Sequence, residues 1–228
     1  KLKNLISAVW SKENLISLLE QLNSSKDAES RDRKIRQEIK KLTNNEVVAS
    51  GPAILEYLIS ICFYQISNER IQLERLVESL DENGLPTYHE KGRMPDIKFD
   101  YKSRSYICEV TLQNDDGQRK MEAEPVPRHL ANHIFDNNND AICFFIAPKL
   151  DPNNLVVLRA YKKMPWYGAN DNVVSSMNIF PLELKDLINC LKKEDSFESI
   201  LERVELLIES KETDGYKWYK NEIEPAFK

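Results

Sequence analysis

Two carboxylates that could bind a metal ion stand in the motifs Met94-Pro95-Asp96 and Glu109-Val110-Thr111. Apolar and polar residues alternate around both motifs, which is the period-two pattern of a half-buried strand. If a hairpin turn is centred between Lys102 and Ser103, Asp96 lies directly opposite Glu109. Opposed like charges destabilise a sheet unless they share a proton or a cation. Mg²⁺ suits the pair, because this hard ion takes one or two carboxylates and keeps positions for water and phosphate oxygens.

An ordinary solvated hairpin with acids on its polar face is the alternative, because 30% of the residues are charged. Two further acids, Glu56 and one of the pair Glu122 and Glu124, support the prediction of a metal site. Glu56 is the only charged side chain in an apolar helical run, where a carboxylate needs a partner. It is either a site residue, as metal ligand or water holder, or an acid on an exposed helix edge. The segment 120–130 carries Glu122 and Glu124, and composition does not choose between them.

Imidazole and basic groups accompany the acids. His129 and His133 are four residues apart on an expected helix. This spacing suits a metal pair, but an exposed helix face is favoured because no H-E-x-x-H motif surrounds them. Several cations lie near the acids in the sequence. They either contact DNA phosphates or are solvent-exposed surface residues without a binding role. With His129 as a further phosphate contact, these cations are Arg93, Lys98, Lys102, Arg104, Arg119, Lys120 and Arg128.

The elements that must position these side chains alternate between helices and strands. The first eighty residues are expected to be helical, with Ser11 capping a helix to Leu22 and Gly51-Pro52 starting an apolar helix. The hairpin follows, then a helix beginning near Pro127, and residues 141–147 have the composition of a buried strand. This order predicts an α/β fold in which a small mixed sheet is flanked by helices.

The remaining segments are assigned from local signals. An amphipathic helix is expected over residues 69–80, and a turn over residues 114–117. A loop rich in Asn and Pro is expected before Met164-Pro165-Trp166. Two helices, over residues 182–193 and 197–210, are expected to close the chain.

Composition limits the class of protein. A chain of 228 residues with 41% hydrophobic content can form one sizeable domain with a helical appendage. The net charge of −5 and the pI near 5.4 are unfavourable for holding DNA unaided, since phosphate contacts supply most non-specific affinity. A nuclease of this composition therefore needs local basic clusters or a separate DNA-binding partner.

Cysteine usage and hydropathy predict a cytoplasmic protein. The four cysteines lie in apolar runs without C-x-x-C spacing, which predicts reduced core thiols. No signal peptide is recognisable, and the longest apolar stretch, near residues 53–66, is too short and interrupted to span a membrane. The chain begins at Lys1 without an initiator Met, which predicts a fragment or a processed product.

Pro95-Asp96, Glu109-Val110-Thr111 and the run 121–130 resemble the C-terminal catalytic domain of the AlwI-like type IIS restriction and nicking endonucleases, the BstNBI group of the PD-(D/E)XK nuclease superfamily. The resemblance covers residues 51–180 and implies a restriction-endonuclease-like core. Residues 1–50 would be a helical lead-in packed on or linking to that core, and residues 51–228 the nuclease catalytic domain. The family's catalytic acids fall on Glu56, Asp96, Glu109 and Glu122.

One position departs from the superfamily pattern, because Thr111 stands where the pattern has lysine. The role of that lysine in positioning the attacking water is expected to pass to Glu122, with His129 or Lys120 as the next candidates. Threonine is usual at this position in the close relatives. The departure therefore does not predict inactivity.

The resemblance implies hydrolysis of a DNA phosphodiester bond by metal-activated water. Asp96, Glu109 and Glu56 are expected to bind Mg²⁺, with Mn²⁺ as a substitute, and Glu122 to position or deprotonate the nucleophile. The expected partners are double-stranded DNA, a separate DNA-recognition domain and, for double-strand breaks, a second catalytic subunit. Nicking of one strand within a larger type IIS enzyme is the expected activity. The rival hypothesis is a non-catalytic subunit of nuclease-like fold that serves interaction or dimerisation.

Overall fold

A computed structural model describes residues 9–25, 27–68, 70–71, 80–87, 94–113, 116–137 and 140–228. Its N-terminal part is helical, with α1 (Lys12–Asn23), α2 (Ala28–Thr43) and α3 (Gly51–Ile66). Each helix begins after a polar residue whose side chain accepts a backbone N–H of the first turn, namely Ser11, Asp27 or Ser50. The predicted cap at Ser11 and the predicted helix start at Gly51-Pro52 are confirmed.

A small mixed sheet follows these helices, as predicted. Its strands, in spatial order, are β1 (Ile97–Tyr101), β2 (Arg104–Val110), β3 (Ala141–Ala147) and β6 (Asn178–Glu183). Two short strands, β4 (Trp166–Tyr167) and β5 (Val173–Val174), form a separate antiparallel pair. β1 and β2 are antiparallel, whereas β2, β3 and β6 are parallel. Parallel neighbours need crossover connections. Helices supply them here: α4 (Asp116–Glu122), α5 (Pro125–Asn137) and α6 (Pro152–Ala160).

The hairpin of β1 and β2 has the predicted register. Ile97 pairs with Cys108, and Tyr101 pairs with Arg104, so the turn is centred between the two residues that the sequence indicated. Lys102 in this turn has a left-handed φ of 54°, a conformation found in tight hairpin turns. Extended by one residue, this register places Asp96, which immediately precedes β1, opposite Glu109.

Different helices cover the two faces of the sheet. Residues paired in the register have their side chains on the same face of the sheet. Phe63 of α3 packs against one face, with its ring centroid 5.3 Å from that of Phe99 and 5.6 Å from that of Phe144. We call this the aromatic face, defined by Phe99, Tyr106, Phe144 and Phe180. The opposite face carries α5, and we call it the acidic face, defined by Ser105, Ile107 and Glu109.

Several boundaries differ from the sequence-based predictions. The turn expected over residues 114–117 is wrong in its second half, because α4 begins at Asp116. The loop expected before Met164 contains α6, which starts where Asp151 caps the helix and Pro152 occupies the first turn. β6 continues to Glu183, so the helix expected from residue 182 begins two residues later. The helix expected over residues 69–80 lies almost entirely outside the described residues.

The C-terminal part closes the aromatic face. After α7 (Leu184–Lys193) and α8 (Phe197–Ile208), the chain forms α9 (Gly215–Trp218), a π-helical turn (Tyr219–Ile223) and α10 (Glu224–Ala226). Buried apolar side chains from Trp10 to Phe227 join one hydrophobic core. All four cysteines are buried free thiols, as predicted. Among the described helices, none has the length and apolarity needed to cross a bilayer.

Candidate active site

Glu109 is a buried carboxyl near the C-terminal end of β2, and only 4% of its surface is exposed. It lies on the acidic face beside Phe145 of β3. Burial raises the pKa of Glu109 well above its ordinary value, and the nearby carboxylates of Glu122 and Glu56 raise it further. Arg128 acts in the opposite direction. Three acids therefore interact electrostatically at this point of the fold.

His129 of α5 lies against Glu109, with its Nδ1 atom 2.9 Å from Oε1 of the acid. Burial lowers the pKa of His129, and the Arg128 guanidinium lowers it further. The two pKa values are therefore moved in opposite directions, that of the acid upward and that of the imidazole downward. The Nε2 atom of His129 is buried without a hydrogen-bond partner in the described part of the chain.

The expectation that the two histidines form an exposed helix face is wrong for His129, which is 8% exposed because α5 packs on the sheet. His133, one turn further along α5, is half-buried. Its Nε2 atom lies 2.6 Å from the hydroxyl of Ser105 on β2. Both histidines therefore bind strand β2, which aligns the helix with the strand that carries Glu109.

The side chain of Asp96 accepts a backbone hydrogen bond from β2, in the place where a carbonyl group of β1 would otherwise accept it. Thr111 donates its N–H to the carbonyl of Ile146 on the β3 side, so the N–H of the preceding residue, Val110, points toward β1. There it is accepted by Oδ2 of Asp96 at 2.7 Å. Asp96 is thereby held at the edge of the same strand end that carries Glu109.

Glu56 lies in the first half of α3 and is 7% exposed. The alternative of an acid on an exposed helix edge is therefore wrong, because α3 packs directly on the sheet. Its charge raises the pKa of the Glu109 carboxyl and of the Cys108 thiol. Glu56 thus approaches the end of β2 from the helix layer opposite α5.

Glu122 and Glu124 occupy different surroundings. Burial raises the pKa of Glu122, while a hydrogen bond with the Thr111 side chain and the nearby His129 lower it. Glu124 is exposed, and its Oε1 atom lies 2.9 Å from Nε of Arg128. Of the two acids that composition could not separate, Glu122 is the one beside Glu109.

The predicted phosphate-contacting cations are spread around this site. Arg119 and Lys120 are exposed on α4, Lys98 is half-buried on β1, and Arg128 is half-buried on α5. Arg104 instead turns toward α8, where it binds Glu205 at 2.8 Å. Lys102 is exposed at the hairpin turn. Arg93 lies outside the described residues.

Two positioning roles were not predicted from the sequence. Thr111 bonds Glu122, and its place two residues after Glu109 on the same face was the available signal. Gln118 of α4 is fully buried; its amide donates to the carbonyls of Gln113 and Lys149 and accepts the N–H of Asp151. These hydrogen bonds hold α4, the helix that carries Glu122, against the segments around Gln113 and Lys149. The sequence did not indicate this role, because a glutamine among charged residues is an ordinary surface pattern.

The donor set suits a hard divalent cation. Asp96, Glu109 and Glu56 offer carboxylate oxygens, the ligands that Mg²⁺ prefers. The pKa of Glu109 is raised first by burial and then by its carboxylate neighbours, whose repulsion a cation would relieve. Within the described residues, however, no three acidic, histidine or cysteine side chains already form a metal-binding group. Metal binding at these acids would therefore require some of their side chains to move closer together.

Comparison with known proteins identifies a family and solved structures of similar fold. The sequence model of the AlwI restriction endonuclease family matches residues 3–190. The fold is similar to the crystal structure of the small subunit of the heterodimeric restriction endonuclease R.BspD6I, with a TM-score of 0.57 and 19% sequence identity. The alignment covers 84% of this chain and 96% of that subunit. No similar sequence was found among curated proteins. The family match extends further toward the N-terminus than the resemblance found from the motifs.

Proposed function

The chain belongs to the AlwI restriction endonuclease family, and on that premise we propose that it is a metal-dependent cleavage subunit or domain that hydrolyses a DNA phosphodiester bond. Family membership supports a nuclease role in general. The observation that carries the specific proposal is the meeting of acids at one strand end, where Oδ2 of Asp96 accepts the Val110 N–H at 2.7 Å and the carboxyls of Glu109 and Glu56 are buried. Burial of several carboxyls around one point is costly for a scaffold and useful for a metal site.

Asp96, Glu109 and Glu56 would hold Mg²⁺, with Mn²⁺ as a substitute. The bound ion would polarise the phosphoryl oxygen, lower the pKa of its water and stabilise the leaving oxyanion. Asp96 is already oriented by the Val110 N–H at 2.7 Å. His129 holds the Glu109 side chain through Nδ1 and is near enough to receive its proton.

Glu122 is the proposed group that positions or deprotonates the attacking water. A carboxyl with a raised pKa is a stronger base, and general bases work best when their pKa approaches the operating pH. The Thr111 hydroxyl holds Glu122 in place. In this chain, therefore, the position of the superfamily lysine supports the base rather than contacting the substrate.

Phosphate contacts are proposed for the cations around the acids. Arg128 already influences Glu109 electrostatically, and the side chains of Arg119 and Lys120 are exposed near Glu122. Lys98 adds a fourth positive charge on β1. His129 would reach a phosphate only through Nε2, since Nδ1 is engaged. Arg93 stays a candidate from sequence alone.

The proposed assembly includes a separate DNA-recognition partner. The net charge of −5 gives little affinity for a polyanion. The structural relative is named as the small subunit of a heterodimeric restriction endonuclease, which supports the same arrangement here. With one active site, the chain would nick one strand of a site chosen by its partner, as in type IIS enzymes, and a second catalytic subunit would cut the other. Its place of action would be the cytoplasm.

Cleavage of supercoiled plasmid tests this function. With Mg²⁺ the wild-type chain should convert supercoiled DNA to nicked circle, and Asp96→Asn should not. A chain that stays folded and cuts no DNA with Mg²⁺ or Mn²⁺, alone or with a recognition partner, would instead support the non-catalytic interaction subunit. Linear product from the first turnover would contradict single-strand nicking.

A further inference from the structure

Arg31 is a buried cation near the start of α2, and only 2% of its surface is exposed. Its guanidinium is bonded to three backbone carbonyls and, among the described residues, to no carboxylate. Burial lowers the pKa of Arg31, and the nearby charge of Asp27 acts in the opposite direction. A buried charge is costly unless hydrogen bonds compensate it, so the three carbonyls are what hold a cation here.

Two of the three carbonyls belong to the end of α1. Nε of Arg31 donates to the oxygen of Leu22 at 3.2 Å, and Nη2 donates to the oxygen of Ser25 at 2.6 Å. The last carbonyls of a helix lack partners within the helix, and a cation there also suits the helix dipole. These two bonds by themselves make Arg31 a structural cap that joins α1 to α2.

The third carbonyl lies beside the proposed active site. Nη1 of Arg31 donates to the oxygen of Leu112 at 3.2 Å. Leu112 is buried two residues after the end of β2 and directly follows Thr111. Capping α1 does not require this contact, which ties α2 to the end of the strand that carries Glu109.

The peptide unit between Leu112 and Gln113 transmits this contact. Its carbonyl accepts the bond from Arg31, and its N–H donates to Oγ1 of Thr111 at 3.2 Å. A peptide unit is planar and trans, so its carbonyl and its N–H point to opposite sides of one rigid plate. A rotation that released the carbonyl from Arg31 would therefore also turn the N–H away from the Thr111 hydroxyl.

The Thr111 hydroxyl passes the constraint to Glu122. Because Oγ1 accepts the N–H of Gln113 with a lone pair, its own proton is available for donation. The hydrogen bond from Thr111 lowers the pKa of Glu122, as a bond donated to the ionised carboxylate does. Hydrogen bonds in series polarise one another in a protein interior. A continuous chain of such bonds thus leads from Arg31 to the proposed general base.

We propose that Arg31 is a positioning residue for cleavage: it holds the Leu112–Gln113 peptide unit, which fixes the Thr111 hydroxyl and through it the carboxylate of Glu122. This inference rests on the proposed function of Glu122 as the group that positions or deprotonates the attacking water. Arg31 is buried and acts only through other groups. The helical segment before Gly51 thereby contributes to the cleavage site, beyond packing on the core.

The test compares Arg31→Lys with the matched control Arg159→Lys. Arg159 is also buried, and its guanidinium likewise donates to three backbone carbonyls, those of Ile208, Ser210 and Glu212. It lies near the end of α6, two residues before Tyr161, whose carbonyl accepts the N–H of Met177 just before β6. Since β6 runs parallel to β2, Arg159 is at the opposite edge of the sheet from Glu109.

Lysine keeps the positive charge but loses the planar fork that reaches three carbonyls at once. Both variants should therefore be less stable than wild type, and rates are compared at a temperature at which circular dichroism shows all proteins folded. With saturating DNA and Mg²⁺, Arg31→Lys should nick about tenfold more slowly in a single turnover, because its general base is misplaced. KM should stay unchanged, and Arg159→Lys should nick at the wild-type rate.

A double variant locates the effect in the chain of hydrogen bonds. Without the Thr111 hydroxyl the peptide unit has no group to orient, so Arg31→Lys should slow nicking less than about twofold in a Thr111→Val background. Amide hydrogen exchange gives a readout that needs neither DNA nor metal. The Gln113 N–H should exchange about tenfold faster in Arg31→Lys and at the wild-type rate in Arg159→Lys.

Equal rate losses in the two arginine variants would overturn the proposal and leave Arg31 as a structural cap of α1. Losses that multiply in the double variant, or a wild-type rate in folded Arg31→Lys, would overturn it as well. If Arg31→Lys is unfolded, Arg31→Gln, which keeps an uncharged donor, takes its place in the same comparison.

Hydrogen exchange separates this proposal from the proposed function. If wild type cuts no DNA while the Gln113 amide responds to Arg31→Lys and not to Arg159→Lys, the nuclease proposal fails and the chain of hydrogen bonds stands. An amide that responds to neither variant would contradict the chain, whether or not wild type cuts DNA.

Discussion

The imidazole of His129 is bonded to the carboxyl of Glu109 at 2.9 Å, and both side chains are buried. Burial raises the pKa of the acid and lowers that of the imidazole, and both shifts favour the uncharged form of each group. This contact joins helix α5 to strand β2 at the point where the other acids meet. Its protonation state would link the proposed metal binding and catalysis to stability.

Glu109→Gln should abolish cleavage without unfolding the protein. The amide keeps the shape of the protonated acid and can donate to His129, but it is a poor ligand for Mg²⁺. Plasmid nicking should fall by at least about 100-fold, while the free energy of unfolding stays within about 1 kcal/mol of wild type or rises. Glu124→Gln, at an exposed acid, should cut normally. A strong loss of stability in Glu109→Gln would mean that the acid is structural.

Asp96→Ala should be less stable than Asp96→Asn, although both should be inactive. The carboxamide oxygen of Asn can still accept the Val110 N–H that Oδ2 accepts at 2.7 Å, whereas Ala leaves it unpaired. An unsatisfied backbone donor costs about 1 to 3 kcal/mol. Urea unfolding of the two variants measures the difference. Equal stabilities would show that water replaces the carboxylate at the end of the hairpin.

Thr111→Val should slow cleavage, whereas Thr111→Ser should retain it. Valine keeps the shape but removes the hydroxyl that holds Glu122, and we expect a fall in turnover of about tenfold, below the full effect of a general base. KM for DNA should not change, because Thr111 is buried. Single-turnover nicking rates separate the two quantities. A valine variant as fast as wild type would exclude a positioning role for Thr111.

The stability of the metal-free protein should depend on pH through Glu109. In the unfolded chain this acid ionises near its ordinary pKa of 4.5, but in the folded protein its pKa is raised well above that value. Unfolding therefore releases a proton above pH 4.5, and stability falls as pH rises toward the folded pKa, by up to about 1.4 kcal/mol per pH unit.

Glu109→Gln removes this dependence and serves as the reference. Its stability relative to wild type should increase with pH when urea unfolding is repeated from about pH 5 to pH 8. His129 acts in the opposite sense, because its lowered pKa makes the folded state gain stability as pH rises toward 6.5. Parallel curves for the two proteins would contradict a raised pKa for Glu109. In wild type, the Mg²⁺ concentration needed for nicking should fall as pH rises.

Fusion to a DNA-recognition module should convert slow, unselective nicking into efficient cutting at one site. Tethering supplies an effective concentration on the order of mM, which compensates for the weak affinity of a chain with net charge −5. Gel shifts and nicking assays of the free and fused chains measure the gain. Tight, sequence-specific binding by the 228 residues alone would contradict the requirement for a partner.

Some helices were predictable and others were not, for local reasons. Ser11 and Ser50 predict the starts of α1 and α3, because a capping residue followed by an apolar run can be recognised from a few neighbouring residues. α6 was mistaken for a loop, since its Asn residues are common in turns and its apolar side chains face the rest of the core only after folding. The short helices after Gly215 are stabilised by packing and carry little sequence signal.

The sequence by itself determined the hairpin register and the facing positions of Asp96 and Glu109. Alternation around Asp96 and Glu109 allows one pairing, because a one-residue slip would turn the apolar side chains to solvent. Only the tertiary structure decided between Glu122 and Glu124 and buried His129 against Glu109. These outcomes depend on how α4 and α5 pack on the sheet. That packing joins groups distant in sequence, and a local pattern contains no information about which helical face becomes buried.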